Sequence, residues 1–332
     1  VAVWRDDDPE IFKATVATAA EQLGVQQIAV EKDYWVCEVL RAIVGAHRDE
    51  VVFKGGTSLE KLRIIQRFSE DLDLLVVGHY SSKRAAKRAM KAMLAAAAST
   101  IGGKCTDSES GGALGSLHRR AYLELPLERG EQSVGLVDPT AVLIELGQSG
   151  GPNPSLDGTV ESLLARALHG AVKGDWDDLR PFAVTILHPG RTLLEKLLRV
   201  NNFVVDPARR DTPHGLPRIG RQFYDIWALL HEPSVIELLA DKAQVGAILQ
   251  SIFEVSEQFS PDHPVPSGGF AASDAFSSDG EFAEGLRRQH DIAMRDLYYG
   301  SDPPTFDDGS RPVEWCKSGR VSACGSVVAT MP

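Results

Sequence analysis

The sequence predicts an α+β protein, with a mixed β-sheet backed by helices and then a C-terminal helical lobe. Three observations carry this expectation. Strand-like apolar runs and helix-period stretches alternate through about residue 190, after which helical patterning dominates. The segment from Val51 to Val77, VVFKGGTSLEKLRIIQRFSEDLDLLVV, reads as a strand, a double-glycine turn, a short helix and a second strand. A chain of 332 residues, 43% hydrophobic and 24% charged, can bury a sizeable core in one large domain or two modest ones.

Residues 1–50 read as mostly helical, because Val36, Val39, Leu40 and Ile43 follow the spacing of a buried helical stripe. The strand Val51, Val52 and Phe53 then runs into Gly55-Gly56. Thr57-Ser58-Leu59-Glu60 follows as a capping box opening a helix with Leu59, Leu62 and Ile65 on its apolar side. A helix start reached through two glycines offers backbone N–H groups with little bulk around them, a place for phosphate. On the next strand Asp71 and Asp73 stand at i and i+2, so both carboxylates project from one side and can hold a divalent metal.

Residues 81–98 form an alanine-rich helix on which Lys83, Arg84, Lys87, Arg88 and Lys91 make one basic face. That face is either simply solvated or a footprint for an RNA backbone. Residues 102–116, rich in Gly and Ser, read as a loop. Strands are expected over 121–127 and 141–146, with Glu145 as candidate third carboxylate and Glu124 as its competitor, and 147–158 reads as another loop. A strand over 182–187 leads through His188-Pro189-Gly190 into the helix RTLLEKLLRV. Lys196 lies at the edge of that helix's apolar arc, where it either snorkels to water or presents its charge in a cleft. Residues 205–222 read as a Pro/Gly loop holding Arg209, Arg210, His214, Arg218 and Arg221, either a grip for triphosphate or an RNA end, or an exposed connection. The next helix buries Phe223, Ile226, Trp227 and Leu230, with Arg221 and Asp225 on the opposite side. Helices over 233–255 and 280–297 follow, then a weakly patterned tail over 301–332, expected to be partly disordered.

A formal net charge of −11 argues against a protein that coats nucleic acid non-specifically. No apolar run approaches the roughly 20 residues that cross a bilayer, and VAVWRDDDPE is not a secretory leader, so a cytoplasmic, membrane-free protein is expected. Cys37, Cys105, Cys316 and Cys324 form no C-x-x-C pair, which argues against structural zinc or a disulfide framework. No heptad pattern calls for a partner, and a monomer is the default expectation.

GGTSLEK followed by RFSEDLDL resembles the opening motif of the DNA polymerase β-type nucleotidyltransferases, in the variant found in the AbiEii/MenT toxins of bacterial toxin–antitoxin systems. Glu31-Lys32-Asp33-Tyr34 resembles a segment near the start of those proteins. Lys196 in its Glu-Lys-Leu helix and Arg221-x-x-x-Asp225 extend the likeness, which covers residue 31 to about 230. The resemblance implies a nucleotidyltransferase-like lobe over 1–190, a helical lobe over 191–300 closing the cleft, and the tail. It implies that Asp71 and Asp73, with Glu145, bind two Mg²⁺ ions. Gly55, Gly56, Thr57 and Ser58, with Lys61 or Lys54, would receive the triphosphate of an NTP, with Ser69 bonding a phosphate or a metal-site carboxylate. Lys196 would neutralise developing charge, and Asp225 would orient a basic residue. The implied reaction adds a nucleotide, a pyrimidine by family habit, to the 3′ end of tRNA and blocks aminoacylation and translation, under control of an antitoxin. The basic helix and Arg209, Arg210 and Arg221 would contact the RNA. Two alternatives stay open: a protein or small-molecule hydroxyl as acceptor, and a nucleotide- or RNA-binding module without catalysis.

Overall fold

The structure is a computed structural model that describes residues 2–69, 71–108, 118–127, 140–148, 150–169, 171–172, 174–210, 215–257, 261–277 and 280–310. Residues 109–116 of the expected Gly/Ser loop, His214, the Arg218 side chain and residues 311–332 of the expected tail lie outside the described residues. The chain divides into two compact units, one made of Val1–Arg63 with Phe68–Ile186 and the other of Ile64–Arg67 with Leu187–Pro332.

The first unit opens with helices α1 (Trp4–Asp7), α2 (Pro9–Leu23) and α3 (Gln27–His47). There follow β1 (Val51–Lys54), α4 (Gly55–Lys61), β2 (Asp71–Val76), α5 (Lys83–Ile101), β3 (Cys105–Asp107), β4 (His118–Glu124), β5 (Ala141–Gly147), β6 (Ser155–Val160), α6 (Leu163–Ala167) and β7 (Phe182–Leu187). The seven strands make one mixed sheet in the order β3-β4-β5-β2-β1-β7-β6. β1 runs antiparallel to β2 and parallel to β7, β2 runs parallel to β5, and β4 is antiparallel to both β5 and β3.

Strand periodicity divides the sheet into two faces. Phe53, Leu72, Leu74, Val76, Val142, Ile144, Leu146, Ala121 and Leu123 all point into one core, shared with Phe12 and Val16 of α2, Tyr34, Val39 and Leu40 of α3, and Met90, Met93 and Ala97 of α5. β5 is central and nearly all apolar, so both of its faces are buried except at Glu145. Lys54, Asp71, Asp73, Glu145, Arg120 and Tyr122 belong to the opposite face.

Three local expectations change here. β4 begins at His118, three residues before the expected start, which adds His118, Arg119 and Arg120 to the sheet. β6 takes up residues 155–158 of the expected loop. The capping box does not form: α4 starts directly at Gly55 with Lys54 as its N-cap and no side-chain cap.

The second unit is helical, with α7 (Pro189–Val205), α8 (Pro207–Arg210), α9 (Gly215–Leu230), α10 (Pro233–Ala240), α11 (Lys242–Ser256), α12 (Ala283–Leu297) and α13 (Phe306–Ser310). Leu193, Leu194, Leu197 and Leu198 of α7, Phe223 and Ile226 of α9 and Leu286 of α12 are buried. The Phe223 ring meets those of Phe306 and Phe276 at 4.7 and 5.8 Å. The segment Ile64–Arg67 is tied in by bonds from Gln66 N to Tyr224 Oη (2.7 Å) and from Tyr299 N to Gln66 O (3.0 Å). Outside residues 211–214, which are not among the described residues, the expected loop over 205–222 is largely helix, with Pro207 opening α8 and Pro217 in the first turn of α9, where no N–H is needed. The expected helix over 233–255 breaks at Asp241, whose carboxylate caps α11 by accepting from Gln244 N at 3.0 Å. Within the expected tail, α13 is anchored by buried Phe306. No helix among the described residues is long and apolar enough to cross a membrane.

Candidate active site

Asp73 is opposite Lys54 on β1 and Glu145 on β5, and Glu145 is opposite Arg120 on β4. Register therefore lines up Lys54, Asp73, Glu145 and Arg120 across four strands on one face. Asp71, one pleat away on the same face, lies in the adjoining row with Leu143 and Tyr122. Both aspartates are half-buried.

The glycine turn closes directly onto this row. Gly55 has φ +81°, and a Cβ added there would lie 2.1 Å from Asp73 Oδ2, so the carboxylate rests against bare backbone that only glycine provides. The Thr57 hydroxyl donates to the Asp71 carbonyl, and the Ser58 hydroxyl donates to Gly55 O at 2.8 Å. Both side chains are buried. The Thr57 hydroxyl thus holds the turn to β2 and the Ser58 hydroxyl closes the turn on itself, so neither hydroxyl proton is left for the triphosphate.

Lys61 is also corrected. Its ammonium is buried against Asp33 and Glu60 (2.8 Å to the latter). Burial alone would lower its pKa, but Asp33 together with Cys37 and Glu60 outweighs this and drives it well above the ordinary lysine value. Arg166 completes the cluster at 2.5 Å from Glu60, and Leu163 N donates to Asp33 at 2.6 Å. Lys61 binds α4 to α3, the Arg166 and Leu163 bonds bring in α6, and the buried ammonium is closed to a ligand. Of the two lysines, only Lys54 belongs to the Asp73 row. Ser69 is half-buried just before β2.

Glu145, rather than Glu124, is in register with Asp73; Glu124 is opposite Ala141, farther along the sheet. The Glu145 carboxylate pairs with Arg120 at 2.6 Å, and among the described residues no three acidic, His or Cys side chains gather as a metal cage. The donor set still fits magnesium, which is commonly held by one or two carboxylates while substrate phosphates and water complete its octahedron.

Arg120 escaped the sequence reading because the strand was expected to start after it. His118 escaped for the same reason. Its pKa is lowered by burial and then by Arg120 and Lys54, against the opposing pull of Asp73, so it too borders the row. The signal available was the alternation His118, Arg120, Tyr122, Glu124 at period two.

All five basic residues of α5, Lys83, Arg84, Lys87, Arg88 and Lys91, are exposed. The apolar side of α5 joins the core on the sheet face opposite Asp71 and Asp73.

In the second unit, Lys196 and Asp225 form one buried cluster. Asp225, fully buried, takes two bonds from Arg67 (2.6 Å from Nε, 2.5 Å from Nη2) and one from Lys196 Nζ at 2.7 Å; Lys196 also donates to Gln222 at 2.8 Å. Burial pushes the Asp225 carboxyl up, but Arg67 and Lys196 prevail and hold it at about 2. One carboxylate serves two cations, so for Lys196 burial dominates and, with Arg67 repelling it, lowers its pKa to about 8 despite Asp225. Two readings change. Asp225 faces Arg67 and Lys196 in the interior, not solvent beside Arg221, and Lys196 is buried, not on the edge of its arc. Arg67 was not singled out from the sequence.

Arg209 and Arg210, expected at the RNA, are half-buried and engaged within their own unit. Arg209 pairs with Asp206 and Asp262 at 3.3 and 3.2 Å, while Arg210 donates to Val204 O at 2.7 Å and lies over the Phe282 ring. Arg221 is half-buried.

A search of curated proteins returns no match. Two solved structures resemble the chain: JHP933 from Helicobacter pylori, at 14% identity over 77% of this chain and 88% of that one with a TM-score of 0.33, and an H. pylori protein assigned as a nucleotidyltransferase, at 13% identity over 78% and 92% with a TM-score of 0.28. Likenesses this slight carry no argument about chemistry. The family model described as the nucleotidyl transferase AbiEii toxin of a type IV toxin–antitoxin system matches residues 38–310, a span that holds Gly55, Asp71, Asp73, Lys196 and Asp225, and the chain belongs to that family.

Proposed function

We propose that this chain is a magnesium-dependent toxin that transfers a nucleoside monophosphate, preferably a pyrimidine one, from an NTP to the 3′ end of tRNA. The product cannot be aminoacylated, so translation stops until an antitoxin intervenes. The protein works as a monomer in the cytoplasm. What supports the chemistry is one observation: Asp71 and Asp73 share a sheet face, and Asp73 Oδ2 rests against the glycine turn at Gly55. What supports an RNA acceptor is the exposed basic side of α5 in a chain of net charge −11, together with the family resemblance.

In the reaction the acceptor hydroxyl oxygen bonds to the α-phosphorus, the bond to the bridging oxygen breaks, pyrophosphate leaves, and the hydroxyl proton passes to water. Asp71 and Asp73 would hold the magnesium, which when bound would lower the pKa of the hydroxyl and shield the leaving pyrophosphate. The Gly55-Gly56 turn leaves backbone N–H groups uncovered for phosphate oxygens, and Lys54 adds a positive charge in the same row. Thr57 and Ser58 keep that turn in shape, and Ser69 is the remaining hydroxyl for a phosphate. Lys196, oriented by Asp225 within the second unit, would neutralise developing negative charge.

Incubation with each α-labelled NTP, Mg²⁺ and either total tRNA or cell protein tests this. Label enters the tRNA fraction with wild-type protein and disappears with EDTA, Asp71→Asn or Asp73→Asn. Label in protein instead, or label that persists in both variants, refutes it.

A further inference from the structure

α5 packs its apolar side on the sheet face opposite Asp71 and Asp73, which leaves its five exposed cations on that side of the sheet, so an acceptor end reaching the aspartates must find other contacts. β4 has them. His118, Arg120 and Tyr122 alternate onto the face of Asp71 and Asp73, while Ala121 and Leu123, on either side of Tyr122, are fully buried in the core. Tyr122 is 37% exposed, one of three large hydrophobic side chains so exposed among the described residues and the aromatic one. It shares a row with Leu143 and Asp71, two strands from the aspartate, a Cα separation of about 10 Å from ordinary strand spacing. Arg120 is one pleat away, its guanidinium steadied by Glu145 at 2.6 Å.

An exposed aromatic ring beside a fixed guanidinium is the pairing that grips single-stranded nucleic acid, the ring taking a base and the cation its phosphate. We propose that Tyr122 is the stacking platform for an unpaired base at the RNA acceptor end, with Arg120 on the adjoining phosphate. The inference rests on the RNA acceptor proposed above and adds the subsite that receives it. A paired base has no free face to offer, so the platform selects a single-stranded end.

Binding of fluorescein-labelled single-stranded octaribonucleotides, oligo(C) and oligo(A), measured by anisotropy in EDTA without NTP, reads the platform apart from catalysis. Tyr122→Ala weakens binding by about 5- to 100-fold, Tyr122→Phe stays within about twofold because the ring is kept, and Ile11→Ala, an exposed apolar residue of α2, changes nothing. Unchanged binding by Tyr122→Ala, equal loss in Tyr122→Phe, equally tight wild-type binding of oligo(C) annealed to oligo(G) as a blunt duplex, or no wild-type binding each overturns the proposal. Failure of tRNA labelling overturns the proposed function while this assay still reads the platform, and intact labelling with unchanged oligonucleotide binding in Tyr122→Ala overturns the platform alone.

Discussion

Gly55→Ala separates the geometry of the turn from its backbone strain. With φ at +81°, an alanine there is strained whatever the space, at about 1–3 kcal/mol. Its Cβ would also stand 2.1 Å from Asp73 Oδ2, and restoring ordinary contact at 3.4 Å or more moves the carboxylate by at least about 1 Å. A displacement of that size at a reacting centre costs on the order of 100-fold in rate. Gly102→Ala is the matched control, because Gly102 has φ +68° with nothing within 4 Å of its would-be Cβ. Both variants should lose a few degrees of melting temperature by calorimetry, from comparable strain. Labelling rates at saturating NTP should fall about 100-fold in Gly55→Ala and stay near wild type in Gly102→Ala. If Gly55→Ala retains activity within about threefold, or the two variants fall together, the contact between the turn and Asp73 is not what sets the site, and the reasoning fails.

Two further outcomes follow from the buried charges. Lys196, with its pKa near 8, should give transfer an alkaline limb near that pH, since the cation is lost as pH rises through it; a pH–rate profile of Lys196→Arg should lack the limb, and an unshifted limb would exclude Lys196 as its source. Stability moves the opposite way, because between about 8 and the ordinary 10.5 the unfolded chain still holds the proton that the folded chain has shed, so the burden of Lys196 on folding lessens as pH rises. Lys61→Met leaves Asp33 and Glu60 buried without that cation and should cost about 3–5 kcal/mol in urea unfolding, whereas a change under about 1 kcal/mol would show that the cluster is not a brace for α4.

The placement of the turn and the aspartate pair was legible because both depend on spacing over a few residues. Two glycines mark a backbone that must pass close to something, and an i, i+2 pair on a strand shares a face wherever the strand ends up. Family motifs added Lys196 and Asp225. Local reading failed where a boundary slipped: starting β4 at Ala121 hid His118 and Arg120, and taking 205–222 as loop turned Arg209 and Arg210 into free cations, although one is bound by acids and the other by a carbonyl and a ring.

Periodicity in the amino-acid order was enough to specify the alternating strands, the paired aspartates and the glycine bend, since each is a property of adjacent backbone. It could not say which charges would meet. Asp225 found Arg67, 158 residues earlier, rather than Arg221 one turn away, and Lys61 found Asp33 rather than phosphate. Such choices depend on which ionic groups packing removes from water together, because a charge stripped of solvent must be answered by whatever the folded chain brings beside it.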